Sequence, residues 1–385
     1  MLKGIRIIDF TQYLPGPFST LRLADLGAEV IKVEPLHGDP AREMETNESD
    51  FLFSVNNRNK KSIAINVKEK VGQQLARELI EQGDVVIESF RPGVMKRLGL
   101  DYTSLKKYKE NLIYLSLTGF GQDGSLSQLG SHDLNYLALS GVLNQFQEED
   151  GPPTHPTITL ADLIGGMAAS EAILGALLQR ERTGKGTYID LAILDVLLGM
   201  IGNHAAISHL TGHRRGLPVL DSSMVNYHLY ETKDHRYMSL GALEFKFWRN
   251  FCLAVECPEW VKAYPSKLKI SNSIYEQVKQ LFLTRTQEEW IRLGEAHDCC
   301  LFPVLDVEEA VSSTYVKQRE LMQLVGNTPF LFTQTYFNSS VRPSDASVHL
   351  GEHTEEILTH LLHKQKGEIR EWCDQGIVLA WNKIP

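Results

Sequence analysis

The stretch GIRIIDFTQYLPGPFSTLRLADLGAEVIKVE (residues 4–34) decides the fold class. GIRIIDF is a short β-branched run, and the Pro and Gly of TQYLPGP break it. FSTLRLADLGA reads as a helix ended by Gly27, and EVIKVE as a second strand. A strand, a helix and a strand in so short a span predict a parallel pair with its crossover. The alternation continues through KSIAINV (61–67), the helix KEKVGQQLARELIEQG (68–83), DVVIESF (84–90) and NLIYLSLTGF (111–120). A long helix rich in small residues, LADLIGGMAASEAILGALLQRERTG (160–184), and the strand GTYIDLAI (186–193) complete it. The expectation is an α/β protein with a parallel sheet, helices on both faces, and ligands in the loops at the carboxyl ends of the strands.

The pattern changes near residue 212. GHRRGLPVLDSS reads as a linker, NYHLYETKDHRYMSLGAL as a hairpin around TKDH, and residues 245–325 as mainly helical. LFPVLDVEEAV adds a strand and a helix start. The expected domains are a large α/β domain over 1–205, a linker over 206–224, a smaller α+β domain over 225–325, and a tail over 326–385 that returns to the large domain.

Composition limits the function. The 385 residues are 43% hydrophobic and 23% charged, with a net charge of −9 and a pI near 5.8. That balance predicts a soluble protein with no bulk attraction to nucleic acid or anionic lipid. No apolar run stands out as approaching the ~20 residues that cross a bilayer, and the N-terminus lacks a signal-peptide pattern. All five cysteines lie in the C-terminal part without a CxxC pair or a zinc spacing. A cytoplasmic chain with reduced thiols, no metal and no membrane or nucleic-acid partner is expected.

Four groups of residues carry possible chemistry. NNRNKKS places Arg58 before a strand, and ESFRPGVMKRLGL places Arg91 and Arg97 after one, where guanidinium groups can grip phosphate. Taken singly, each is better explained by a solvated basic face, and GxGxxG and Walker loops are both absent. Asp162 sits in an apolar helix start followed by Gly165 and Gly166. The helix dipole alone would account for it. Paired helical glycines cost about 1 kcal/mol each, however, and imply that a ligand or another backbone comes close. His132 and Asp133 open the helix of GSHDLNYLALSGVL, with Tyr136 one turn on as a hydrogen-bonding neighbour. Glu244 precedes the aromatic helix EFKFWRNF, where a structural role is the commoner one. No GxSxG elbow or persuasive cysteine supports a hydrolase.

The blocks IIDFTQYLPGPFSTLRLADLGAEVIKVE, NNRNKKSIAIN, ESFRPGVMKRLGL, GSHDLNYLALSG, LADLIGGM, GKGTYIDLAILD and YHLYETKDHRYMSLGALEFKFW resemble, in order, the family III CoA-transferases and the α-methylacyl-CoA racemases that share their fold. The resemblance spans nearly the whole chain. It implies a Rossmann-like large domain, a small domain and an interlocked homodimer. It also implies an acyl-CoA substrate whose coenzyme A is held by Arg58, Arg91 and Arg97, with no permanently bound cofactor.

Asp162 falls on the family's catalytic aspartate. In the transferases that residue attacks a thioester to give a mixed anhydride. In the racemases it shares proton transfer at the α-carbon with a second group. SHDLNY resembles the racemases' histidine block and GALEFKFW their glutamate block, so His132, 30 residues before Asp162, falls on their second base. Asp133, Tyr136 and Glu244 are supporting groups, and backbone N–H groups at the Asp162 helix start are the expected enolate site. The chain departs from the racemases at Ile158, where they tend to have asparagine, and from many transferases at Leu14, where they have glutamine. The expected activity is an acyl-CoA racemase, with a CoA-transferase as the alternative.

Overall fold

The computed structural model describes residues 1–43, 51–147, 151–214, 216–217, 224–267, 272–325, 328–331 and 346–381. The chain divides into two compact units. The first comprises Met1–Leu143, Pro156–Met200 and Glu320–Pro385, and the second Asn144–His155 and Ile201–Arg319. Residues 144–155 therefore group with the second unit, not with the large domain as expected. The expected linker over 206–224 is also partly helical, because the Gly202–Thr211 helix runs into it. Residues 215 and 218–223 of that linker lie outside those described.

The strands follow in chain order: β1 (Arg6–Phe10), β2 (Glu29–Glu34), β3 (Lys60–Ile65), β4 (Val85–Glu88), β5 (Ile113–Thr118), β6 (Thr187–Ala192), β7 (Tyr227–Glu231), β8 (Tyr237–Gly241), β9 (Leu301–Pro303), β10 (Met322–Val325), β11 (Thr328–Leu331) and β12 (Val378–Leu379). The first unit holds a seven-stranded sheet in the order β12-β3-β2-β1-β4-β5-β6. Strands β1 to β6 pair in parallel, and β12 closes the β3 edge antiparallel. The chain reverses direction across the sheet after β3, and β4 joins the other side of β1. That order places a topological switch at β1 and β4, where loops diverge and leave room for a ligand.

Alternation along the strands buries both faces. Ile8 and Phe10 of β1 join Leu75, Ala76 and Leu79 of the Lys70–Glu81 helix, together with Ile357, Leu358 and Ile369 of the C-terminal segment, in one apolar cluster. Asp9 points the other way, and the Thr20 hydroxyl of the Pro15–Asp25 helix donates to it. That helix starts at Pro15 and not at the expected Phe18. Proline is tolerated in a first turn, because its missing N–H would have had no intrahelical acceptor.

The Leu160–Thr183 helix has 24 residues and is long and apolar enough to cross a membrane by length and composition, contrary to the expectation that no such run exists. Within the first unit it is a packed helix: Ala161, Gly165, Gly166, Ala169, Ile173 and Ala176 are buried. Small side chains on one face allow that close approach.

In the second unit β7, β8 and β9 form an antiparallel sheet. The hairpin turns at Thr232–Arg236, where the Thr232 N–H donates to the Arg236 carbonyl. Trp248, Phe251, Phe282 and Trp290 fill its core beside Met238 and Leu240. All five cysteines are free thiols.

Candidate active site

Asp162 is the third residue of its helix, one of the first four positions, whose N–H groups have no intrahelical acceptor. Its N–H donates to the Asp133 carboxylate at 2.9 Å. Asp133 thus caps a helix that begins 27 residues further along the chain, and this bond fixes the two helix starts side by side. One residue earlier, His132 is the N-cap of the Asp133–Leu139 helix. Its own N–H donates to the Asn135 side chain at 3.0 Å, and its imidazole is exposed. Asn135 thereby helps to turn the chain into the helix.

The Asp162 carboxyl is pushed up to about 7, first by burial and then by the charge of Asp133. Among the described residues neither Asp133 nor Asp162 forms a salt bridge, so no cation offsets that repulsion. Tyr136 completes the cluster. Its hydroxyl accepts from Ser131 Oγ at 2.9 Å and donates to the Ser131 carbonyl at 3.2 Å. Burial raises its phenol first, and the charges of Asp162 and Asp133 add to that. Gly119 is required below the ring, because a Cβ there would lie 2.5 Å from Tyr136.

The paired glycines face protein rather than an open space. A Cβ on Gly165 would meet Ile193 at 2.9 Å, and one on Gly166 would meet the Pro15 carbonyl oxygen at 2.5 Å. The close approach expected of them is therefore to the Ile193 side chain at Gly165 and to the Pro15 backbone at Gly166, and the second seats the first loop against the Asp162 helix. The oxyanion expectation is narrowed as well. The N–H of Leu160 donates to Ile158, that of Asp162 to Asp133 and that of Leu163 to Thr159, so the helix start offers at most Thr159 and Ala161.

The arginines separate into three environments. Arg58 is 1% exposed and forms a two-pronged pair with Asp25, with Nη2 2.7 Å from Oδ2. Its expected role on coenzyme A is corrected accordingly: a buried guanidinium bound to a carboxylate cannot also reach a phosphate. Arg97 lines a cavity of about 620 Å3 at the carboxyl ends of β1, β2 and β3. Arg91 lines a separate cavity of about 380 Å3 beside Glu88, Tyr114 and Tyr188. The buried Glu88 carboxyl there is pushed up to about 7 by desolvation.

Motif reading misses the walls of the larger cavity: Gln12, Leu36, His37, Val67, Lys68 and Phe90. They come from loops after four different strands. The detectable signal was positional: each follows a strand at its carboxyl end. Apolar and cationic walls of this size suit a nucleotide.

Glu244 belongs to the second unit. It is exposed at the N-cap of the Phe245–Ala254 helix, and its carbonyl accepts from Phe247 at 3.0 Å. Within the first unit the structure brings together Asp162, Asp133, Tyr136 and the helix start that carries His132.

Comparison with known proteins agrees with this geometry. Residues 2–354 match the sequence profile of CoA-transferase family III. The chain is 34% identical to mouse succinyl-CoA:glutarate CoA-transferase, over 98% of this chain and 90% of that protein. It is 33% identical to human alpha-methylacyl-CoA racemase, over 93% of this chain and 92% of the relative. The crystal structure of a CAIB/BAIF family protein from Brucella suis superposes with a TM-score of 0.83 at 27% identity, covering 94% of this chain and 99% of that one.

Proposed function

The chain belongs to CoA-transferase family III, and from that premise we propose that it is a racemase-type member exchanging the proton α to a CoA thioester. The observation that carries the proposal is the Asp162 carboxyl, held at about 7 beside the helix start of His132. A proton-transfer group works best when its pKa lies near the operating pH, since both of its forms are then populated.

In this reading one of His132 and Asp162 removes the α-proton of a 2-methylacyl-CoA-like substrate, and the electron pair passes into the thioester as an enolate. The other group returns a proton to the opposite face. Asp133 and Tyr136 support Asp162. Coenzyme A enters as part of the substrate, its nucleotide in the cavity lined by Arg97 and its charge met by Arg91. No metal or permanent cofactor takes part.

A second reading is favoured by the 34% identity to a CoA-transferase: Asp162 alone attacks the thioester and passes CoA to a second carboxylic acid. His132→Ala separates the two. It slows α-proton exchange by about 10^2 to 10^4-fold if His132 is a base. It leaves a hydroxylamine-trappable acyl-enzyme intact if Asp162 is a nucleophile.

The functional form is proposed to be an interlocked homodimer in the cytoplasm. Leu134, Leu139, Met167, Leu178 and Leu198 are exposed on helices of the first unit, an apolar surface that a second copy would cover. Analytical ultracentrifugation giving one copy per particle at micromolar concentration would count against it.

A further inference from the structure

The Tyr136 ring is wedged in place. It is buried, the Phe120 ring stands edge-on to it with centroids 5.6 Å apart, and Gly119 lies so close that a Cβ there would overlap it. The ring has no room to shift, and the hydroxyl proton is the part that can still turn.

One residue engages that hydroxyl twice. Ser131 Oγ lies 2.9 Å from Tyr136 Oη, and the Ser131 carbonyl oxygen lies 3.2 Å from the same atom. A carbonyl only accepts and a phenol has a single proton, so that proton goes to the carbonyl and Ser131 Oγ donates in the other bond. The phenol then has no proton for another acceptor. Ser131 precedes the His132 N-cap, so the two bonds close across the start of the Asp133–Leu139 helix.

Asp162 is the acceptor that goes without. Of the two carboxylates that raise the phenol, Asp162 acts more strongly than Asp133. Yet among the described residues the Asp162 carboxyl accepts no hydrogen bond, and burial and Asp133 set its rise to about 7. Around it stand Asp133, Tyr136 and the helix start of His132. On the other elements packed against its helix, Arg22 is bonded to Ser170 two turns away, Asp25 is paired with Arg58, Asp190 accepts from the Gln122 N–H, and Asp195 is exposed. A donor turned towards a carboxylate holds it ionised. The acceptor chosen by the Tyr136 proton therefore governs how readily Asp162 takes up a proton.

We propose that Ser131 is a positioning residue of the proton-transfer site: its hydroxyl and carbonyl together hold the Tyr136 hydroxyl and its proton, so that the phenol does not donate to Asp162. This rests on the racemase reading above.

The test follows the Asp162 carboxyl carbon by NMR, in protein labelled with carbon-13 at its aspartate carboxyls, with the resonance identified by its loss in Asp162→Asn. The pH–rate profile of α-proton exchange is measured beside it. Ser131→Ala removes one of the two tethers and lets the phenol proton turn to Asp162, so carboxyl and profile should both titrate about one pH unit below the parent. Ser131→Thr keeps a hydroxyl and should titrate as the parent does. In a Tyr136→Phe background Ser131→Ala should cause no shift. A purely structural role for Ser131 would move the melting temperature and neither titration. An unshifted Ser131→Ala carboxyl, or a shift that persists without the phenol, overturns this proposal and leaves the racemase reading intact. No exchange by the parent, with the Ser131→Ala carboxyl shift present, overturns the racemase reading and leaves the positioning of the phenol standing.

Discussion

Two regions of the first unit bury carboxylates, and they treat them in opposite ways. In the sheet, Asp9 of β1 is fully buried with Lys60, the first residue of β3, at 3.3 Å and accepts from the Thr20 hydroxyl at 2.6 Å. Burial works to raise that carboxyl, but Lys60, Lys32 and two hydroxyls outweigh it and hold it below the usual range. Asp39 has Lys32, and Glu34 has Arg42. At the start of the Leu160–Thr183 helix, Asp162 meets burial and a second carboxylate with no salt-bridge partner among the described residues, and rises to about 7. Paired charges in a dry interior make a scaffold. A charge left unpaired there is a proton donor or acceptor in waiting.

The contrast can be broken from its scaffold side first. Lys32→Met leaves Asp39 buried without its cation, and we expect a loss of about 3–5 kcal/mol of stability, read from urea unfolding. A loss below ~1 kcal/mol would mean that the cluster is not the scaffold described. On the other side, His132→Ala should lower the α-proton exchange rate by about 10^2 to 10^4-fold while leaving urea stability unchanged.

A smaller effect sharpens the comparison through pH. The Asp162 carboxyl titrates near 7 in the folded chain and near ~3.9 when unfolded. Stability is therefore lost as pH rises from about 4 to about 7 and stays lost above it, and below pH 4 the two states hold the proton alike. Asp162→Asn should melt ~3 °C above the parent at pH 8, with the gap closing as pH falls towards 4. The reverse trend would show that the carboxyl is stabilised as an anion. Smallest of all, Asp133→Asn keeps an acceptor for the Asp162 N–H but removes the neighbouring charge. Its pH–rate profile should move to lower pH with little change in maximal rate.

Much of this was legible because it is local. The repeat of strand, breaker and helix in residues 4–34 survives into β1, the Pro15–Asp25 helix and β2, and only the helix start moved. His132 at a helix start and Asp162 in a first turn are likewise local facts. Arg58 was misread because its partner Asp25 lies 33 residues away on another element, so NNRNKKS looks solvated when its arginine is buried. The cavity was invisible for the same reason: Gln12, His37, Lys68 and Phe90 share no motif and meet only through the strand order. Residues 144–155 carry no periodic pattern, so nothing in their sequence assigns them to the second unit. Charge balance is the least local property of all. EVIKVE does not reveal that Lys32 is buried between Asp9 and Asp39.

The measurement that reaches the central claim most directly is deuterium incorporation at the α-carbon of 2-methylbutanoyl-CoA in deuterated water, followed by mass spectrometry. The account predicts incorporation by the parent protein and incorporation slowed by about 10^2-fold or more in Asp162→Asn and His132→Ala. No incorporation by the parent, together with an acyl group trapped by hydroxylamine on Asp162, would contradict it.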